Sequence, residues 1–135
     1  MREILFRGKR IDNGEWVYGN LSYGTIEIKS IKDSYYISDF DVNPWDKKFY
    51  SIIPESVGQY TGLTDKNGKK IFEGDIVKTS HGGSTYYAKI EWDDGSFWVT
   101  NHDIQMPSYI SEVSKTYLEV IGNIHDNPEL LEVTE

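Results

Sequence analysis

The chain has 135 residues, with 14 Lys and Arg against 22 Asp and Glu, and no cysteine. That is the size of one domain, it excludes disulfide and thiolate-metal staples, and a net charge of -8 repels phosphate backbones at long range. Aromatics make up 14% and alanine occurs once, at Ala88, which excludes an ordinary helical bundle, because strands favour aromatics and the strongest helix former is missing.

In chain order, Ile4 to Gly8 predicts a first strand, Asp12-Asn13-Gly14 a turn, and Glu15 to Gly19 a second strand, together an opening hairpin. Thr25 to Lys29 alternates polar and apolar, placing Ile26 and Ile28 on one side of a strand. Ser34 to Phe40 predicts another strand, residues 41–46 a loop broken by Pro44, and Phe49 to Ile53 a short extended run ended by Pro54. Gly58 to Leu63 leads into Asn67-Gly68, which predicts a two-residue type I′ hairpin returning through Lys70-Ile71-Phe72.

Glu73-Gly74-Asp75 then forms a corner, where glycine takes an angle other residues resist and the Asp75 carboxylate accepts nearby N–H groups. Strands are predicted at Ile76 to Lys78, Thr85 to Trp92 and Ser96 to Thr100, with turns at His81 to Ser84 and Asp93-Asp94-Gly95. Pro107 to Lys115 predicts a short helix from the spacing of Tyr109, Ile110 and Val113. Leu118 to Ile124 predicts a last strand, and Asn127-Pro128-Glu129 an N-cap, a first-turn proline and an acid opening a terminal helical turn. This order predicts a mainly β chain with one or two short helices. A β-meander fills about residues 1–53, and a small SH3-like barrel fills 54–131, its core drawn from Ile76, Ala88, Ile90, Phe97, Val99, Val120 and Ile124.

Trp92, Phe97 and Trp98 flank one turn and invite comparison with an aromatic cage for a cation. Neighbours on a strand point to opposite faces, so at least one ring belongs to the core. His81, His102 and His125 lie far apart with no ligand partner at helical spacing. A metal or acid–base site would need the fold to unite His102-Asp103 with His125-Asp126. Asp39, Asp41 and Asp46, and again Glu91, Asp93 and Asp94, read as ordinary turn carboxylates, because neither set has calcium-loop spacing. No glycine-rich phosphate loop or nucleophile elbow occurs. The expectation is therefore no catalytic residue, no cofactor and no metal, with a metal-dependent enzyme as the remote alternative.

Three segments in order carry a resemblance. They are Met1 to Arg10 with Asn13 to Leu21, the run from Val57 to Val77, and Leu118 to Leu131. Together they are similar to the signature of the YopX family, small proteins found mostly in phages and prophages of bacteria. The resemblance implies a single domain over 1–135 with the same kind of fold, supplies no catalytic residue, and implies no known activity.

The expected function is a non-enzymatic protein-binding or adaptor module of a phage or prophage, acting on a host or phage protein. Tyr60, Tyr86, Tyr87 and Trp98 are the candidate contact residues, since exposed Tyr and Trp tend to dominate interface energy. Lys66, Lys69 and Lys70 at the central hairpin are the candidates for the alternative, nucleic-acid binding, which the net charge disfavours. A homo-oligomer through exposed aromatic strands is a further expectation. With no apolar run long enough for a bilayer and no secretory start, the expected location is the bacterial cytoplasm, with no membrane partner.

Overall fold

The computed structural model describes residues 3–26, 31–38, 48–81, 83–93, 95–100, 108–109 and 117–132. The chain is mainly β, in two antiparallel sheets, and it divides into two compact units, Met1–Tyr60 and Thr61–Glu135. Strand β5 (Gly58–Thr64) spans the change from one to the other. Its first residues, Gly58 and Gln59, pair with Arg7 and Phe6.

In the first unit, β1 (Phe6–Lys9) and β2 (Trp16–Ile26) form the opening hairpin. Its turn is fixed by the Gly14 N–H donating to the Arg10 carbonyl at 3.0 Å and the Glu15 N–H to Asn13 Oδ1 at 2.9 Å. Strand β2 runs on past Gly19 to pair with β3 (Ile31–Ser38), which pairs with β4 (Phe49–Ser51). The Thr25–Ile26 part of the expected third strand is thus the end of β2; residues 27–30 lie outside the described ones. So does the predicted loop at 41–46.

Gly8, Gly19, Ile37 and Ile52 crowd the inner face of this unit, with Ile37 and Ile52 fully buried. Residue 52 returns to the first hairpin: it bridges Arg10, and the Ile53 N–H donates to the Lys9 carbonyl at 2.9 Å. On the opposite face the guanidinium of the buried Arg7 stacks over Trp16 at 4.7 Å.

In the second unit, the later part of β5 joins β6 (Lys70–Phe72), with Thr61 Oγ1 donating to the Ile71 carbonyl at 2.9 Å. Strands β7 (Asp75–His81), β8 (Ser84–Asp93), β9 (Ser96–Thr100), β10 (Ser108–Tyr109) and β11 (Glu119–Asn123) form a sheet in the order β10-β9-β8-β7-β11. Among the described residues neither sheet closes into a barrel. Ile71, Val77, Ala88, Ile90, Phe97 and Leu118 make the buried cluster, with Val99 and Val120 packed against it. Ile71, Val77 and Leu118 are the members that strand alternation alone does not reveal.

The predicted helix at Pro107 to Lys115 is corrected where the structure describes it. Ser108 and Tyr109 are extended and pair with Val99 and Trp98, so sheet pairing overrides a weak helical spacing; the rest of that segment lies outside the described residues. The terminal turn is a 3-10 helix at Pro128–Glu132. Asn127 does not cap it with its side chain in the expected way: its Oδ1 accepts instead from the Asn123 N–H at 3.3 Å.

A methyl group added at Gly19 would run into the Ser38 carbonyl, a main-chain atom that cannot swing aside. At Gly8 it would meet the Ile52 side chain instead. Gly19→Ala should therefore cost at least about 2 kcal/mol of stability, and Gly8→Ala less. Urea unfolding followed by circular dichroism checks both values.

Candidate functional site

The central hairpin is built around one carboxylate. Asp65 is 3% exposed. Its Oδ1 accepts the N–H groups of Asn67 at 2.8 Å and Lys69 at 2.9 Å, and its Oδ2 accepts the Val120 N–H at 2.8 Å. Main-chain bonds reinforce the arrangement: Asp65 N–H to the Lys69 carbonyl at 2.8 Å and Lys66 N–H to the Leu118 carbonyl at 2.9 Å.

The Gly68 N–H donates to the Asp65 carbonyl at 3.0 Å, so the central residues of the turn are Lys66 and Asn67. Gly68, with φ +84°, follows the turn in the left-handed region. The expected type I′ turn centred on Asn67-Gly68 is replaced by a three-residue loop of the bulged kind, which needs positive φ only at its last residue. The buried Asp at the start of the loop selects this form, because it caps two N–H groups of the turn.

Burial drives the Asp65 carboxyl upward, but the N–H groups of Val120, Lys69 and Asn67, with the Lys69 charge, hold it below the usual carboxylate range. Lys66, Lys69 and Lys70 are all exposed on this hairpin. The Lys66 ammonium lies 3.8 Å from the Glu119 carboxylate, both partly solvated.

The Glu73-Gly74-Asp75 corner forms as expected. Gly74 has φ +92°, its N–H donates to the Ile90 carbonyl at 2.7 Å, and its carbonyl accepts from the Ile124 N–H at 2.9 Å. Asp75, 2% exposed, accepts the Phe72 N–H at 2.7 Å.

The four aromatic candidates are not brought together on one surface. Tyr60 is 8% exposed and belongs to the first unit, where its N–H donates to the Leu5 carbonyl at 2.8 Å. Tyr86 and Tyr87 alternate on β8, so they face opposite sides of the second sheet. Tyr86 shares its side with Ala88 and Ile90. Tyr87 shares the other with Lys89, Glu91 and, through the Glu91–Trp98 pairing, Trp98.

On that outer side the Lys89 ammonium lies 3.5 Å from Glu91, whose Oε1 accepts the Thr100 hydroxyl at 2.8 Å. Trp98 donates from Nε1 to the Asp93 carbonyl at 2.9 Å. Tyr86, Tyr87 and Trp98 are all half-buried.

The three-ring cage does not assemble either. Trp92 and Phe97 are paired across the strands and meet edge-on at 4.8 Å, while Trp98 lies on the other face. Phe97 is the core ring, as alternation requires. Trp92, by contrast, is 51% exposed and is the ring that strand position alone does not separate from the core.

Among the described residues no group of three His, Asp or Glu side chains could hold a metal ion, and no helix is long and apolar enough to cross a membrane. His125 sits in a turn where its N–H donates to Asn123 Oδ1 at 2.9 Å. His102, Asp103, Asp39, Asp41, Asp46 and Asp94 lie outside the described residues.

A mainly β protein with buried aspartates capping its turns and half-buried aromatics on an open sheet is the class these features define. The profile of the YopX protein matches residues 5–132, and the chain belongs to that family. The crystal structure of protein EF1440 from Enterococcus faecalis is similar, at 24% identity over 97% of this chain and 99% of that one, with a TM-score of 0.58; this is a likeness of fold. Among curated proteins, none matches the chain.

Asp65 titrates in the folded chain below the roughly 3.9 of an unfolded aspartate. Its contribution is complete above about pH 4 and is lost as pH falls through the native value. Asp65→Asn should lower stability at neutral pH by about 2 kcal/mol, since an amide offers one accepting oxygen and sets an NH2 donor against the N–H groups that faced the other. The gap from wild type should narrow on acidification below about pH 4. A series of urea midpoints against pH checks both; an unchanging gap would mean that the charge is not the source.

Proposed function

We propose that this chain is a non-enzymatic protein-binding module, an adaptor of phage or prophage origin working in the bacterial cytoplasm on a host or phage protein. The observation that carries the reading is the outer side of the second sheet. There Tyr87 and Trp98 bracket the Lys89–Glu91 ion pair, separated by about 13 Å of strand. Trp98 is fixed by its bond to the Asp93 carbonyl, so little rotamer freedom is lost when a partner packs against it. Aromatic side chains are enriched at interface cores, and the Lys89–Glu91 pair leaves no net charge between Tyr87 and Trp98.

The strand order supports an SH3-like origin for this unit. Four strands run as a meander and the last returns beside the first, which is the connectivity of a small barrel opened between β10 and β11. Such barrels serve many functions, so the reading rests on the surface rather than on the fold.

The alternative is nucleic-acid binding through Lys66, Lys69 and Lys70. Their joint exposure on one hairpin favours it, while the Glu119 carboxylate beside Lys66 weighs against it. Affinity purification of the tagged chain from host lysate, with nuclease and at high salt, separates the two. The proposal predicts a discrete protein partner that survives both treatments and is reduced by Trp98→Ala. Recovery of nucleic acid alone, lost at high salt and after replacement of the three lysines, would establish the alternative instead.

A further inference from the structure

The acidic charge is divided very unevenly. Residues 61–135 hold six of the fourteen basic residues and thirteen of the twenty-two acidic ones, a net of -7, whereas residues 1–60 carry a net of -1. The field of the second unit therefore concentrates cations and basic segments near its surface and repels polyanions.

Within that unit Trp92 and Tyr117 are the exposed large aromatics among the described residues, and Trp92 is the one that lies on a strand. Trp92 occupies the end of β8 on the side that carries Ile90, Phe97 and Val99, yet it is 51% exposed. It is not a loose ring. Phe97, 6% exposed, meets it edge-on at 4.8 Å with the planes inclined at 68°. The neighbouring Asp93 is exposed, and its carbonyl is held at 2.9 Å by the Trp98 indole from the other side of the sheet.

Three cation–ring contacts occur among the described residues, Arg7 and Lys9 on Trp16 and Arg10 on Tyr50. All lie in the first unit, and none uses the Trp92 ring. A fixed indole, half open to solvent and set in a strongly acidic unit, attracts a cation to its face and gives an aliphatic stem something to pack on.

We propose that Trp92 is the docking platform for a basic segment of a partner protein, which lays a Lys or Arg side chain on the indole while the acidic field of the unit holds the neighbouring charges. A polyanion would be repelled here, and a small free cation would leave the apolar ring unused. A peptide with spaced basic residues satisfies both features. This rests on the protein-binding reading above and adds to it the platform and the chemistry of the partner.

The test uses the full chain and a fluorescein-labelled peptide of alternating Lys or Arg and Gly, read by anisotropy at low salt, with a Glu-for-Lys/Arg peptide as control. The basic peptide should bind and the acidic one should not. Trp92→Ala, which leaves the net charge unchanged, should weaken binding about tenfold, and Trp92→Phe by less.

Equal affinity of wild type and Trp92→Ala would overturn the proposal, leaving only diffuse charge attraction, and so would failure of the basic peptide to bind. The lysate experiment keeps the two readings apart. A partner captured equally by wild type and Trp92→Ala removes this platform but leaves the adaptor reading standing. The absence of any protein partner removes both.

Discussion

The second unit depends on the Asp65 carboxylate, which gathers three main-chain N–H groups, one of them 55 residues away at Val120. Strand β11 has β7 as its sheet neighbour on one side. On the other side Leu118 and Val120 are bonded to Lys66 and Asp65. The hairpin thus completes an edge that would otherwise present unpaired backbone groups. Each bond is made to a charged acceptor away from bulk water, which roughly doubles its strength, and losing the acceptor would leave three donors to find new partners.

The same device recurs at Asp75, which accepts from Phe72 across the Gly74 corner. There the chain turns between β6 and β7, and the two strands contribute Ile71 and Val77 to the buried cluster. Two buried aspartates therefore fix two successive turns, and between them they set the register of the strands that supply the core.

Much of this was legible from residue order. Alternation and turn residues locate β6 and β9 to the residue, and Gly74-Asp75 forms the corner that its chemistry requires. The hairpin at Asn67-Gly68 was legible as a hairpin but not in its turn type. Asp65 decides that type through a bond to Val120, and long-range contact leaves no trace in the local pattern. The extension of β2 beyond Gly19 was hidden for a similar reason: the cross-strand pair of Tyr23 and Tyr35, with ring centres 4.8 Å apart, keeps the strands together there.

The surface was the least legible part. Tyr60, Tyr86, Tyr87 and Trp98 are alike in sequence, but burial and strand parity send them to different places, and none of the four is among the exposed rings, which include Trp92. A whole-chain charge also conceals the near neutrality of one unit and the acidity of the other.

Amide hydrogen exchange tests the role of Asp65 most directly. The account predicts that the N–H groups of Asn67, Lys69 and Val120 are protected to a common degree and open together, although two of them lie in an exposed hairpin. Exchange of Asn67 and Lys69 at the rate of an open turn, with Val120 still protected, would contradict it.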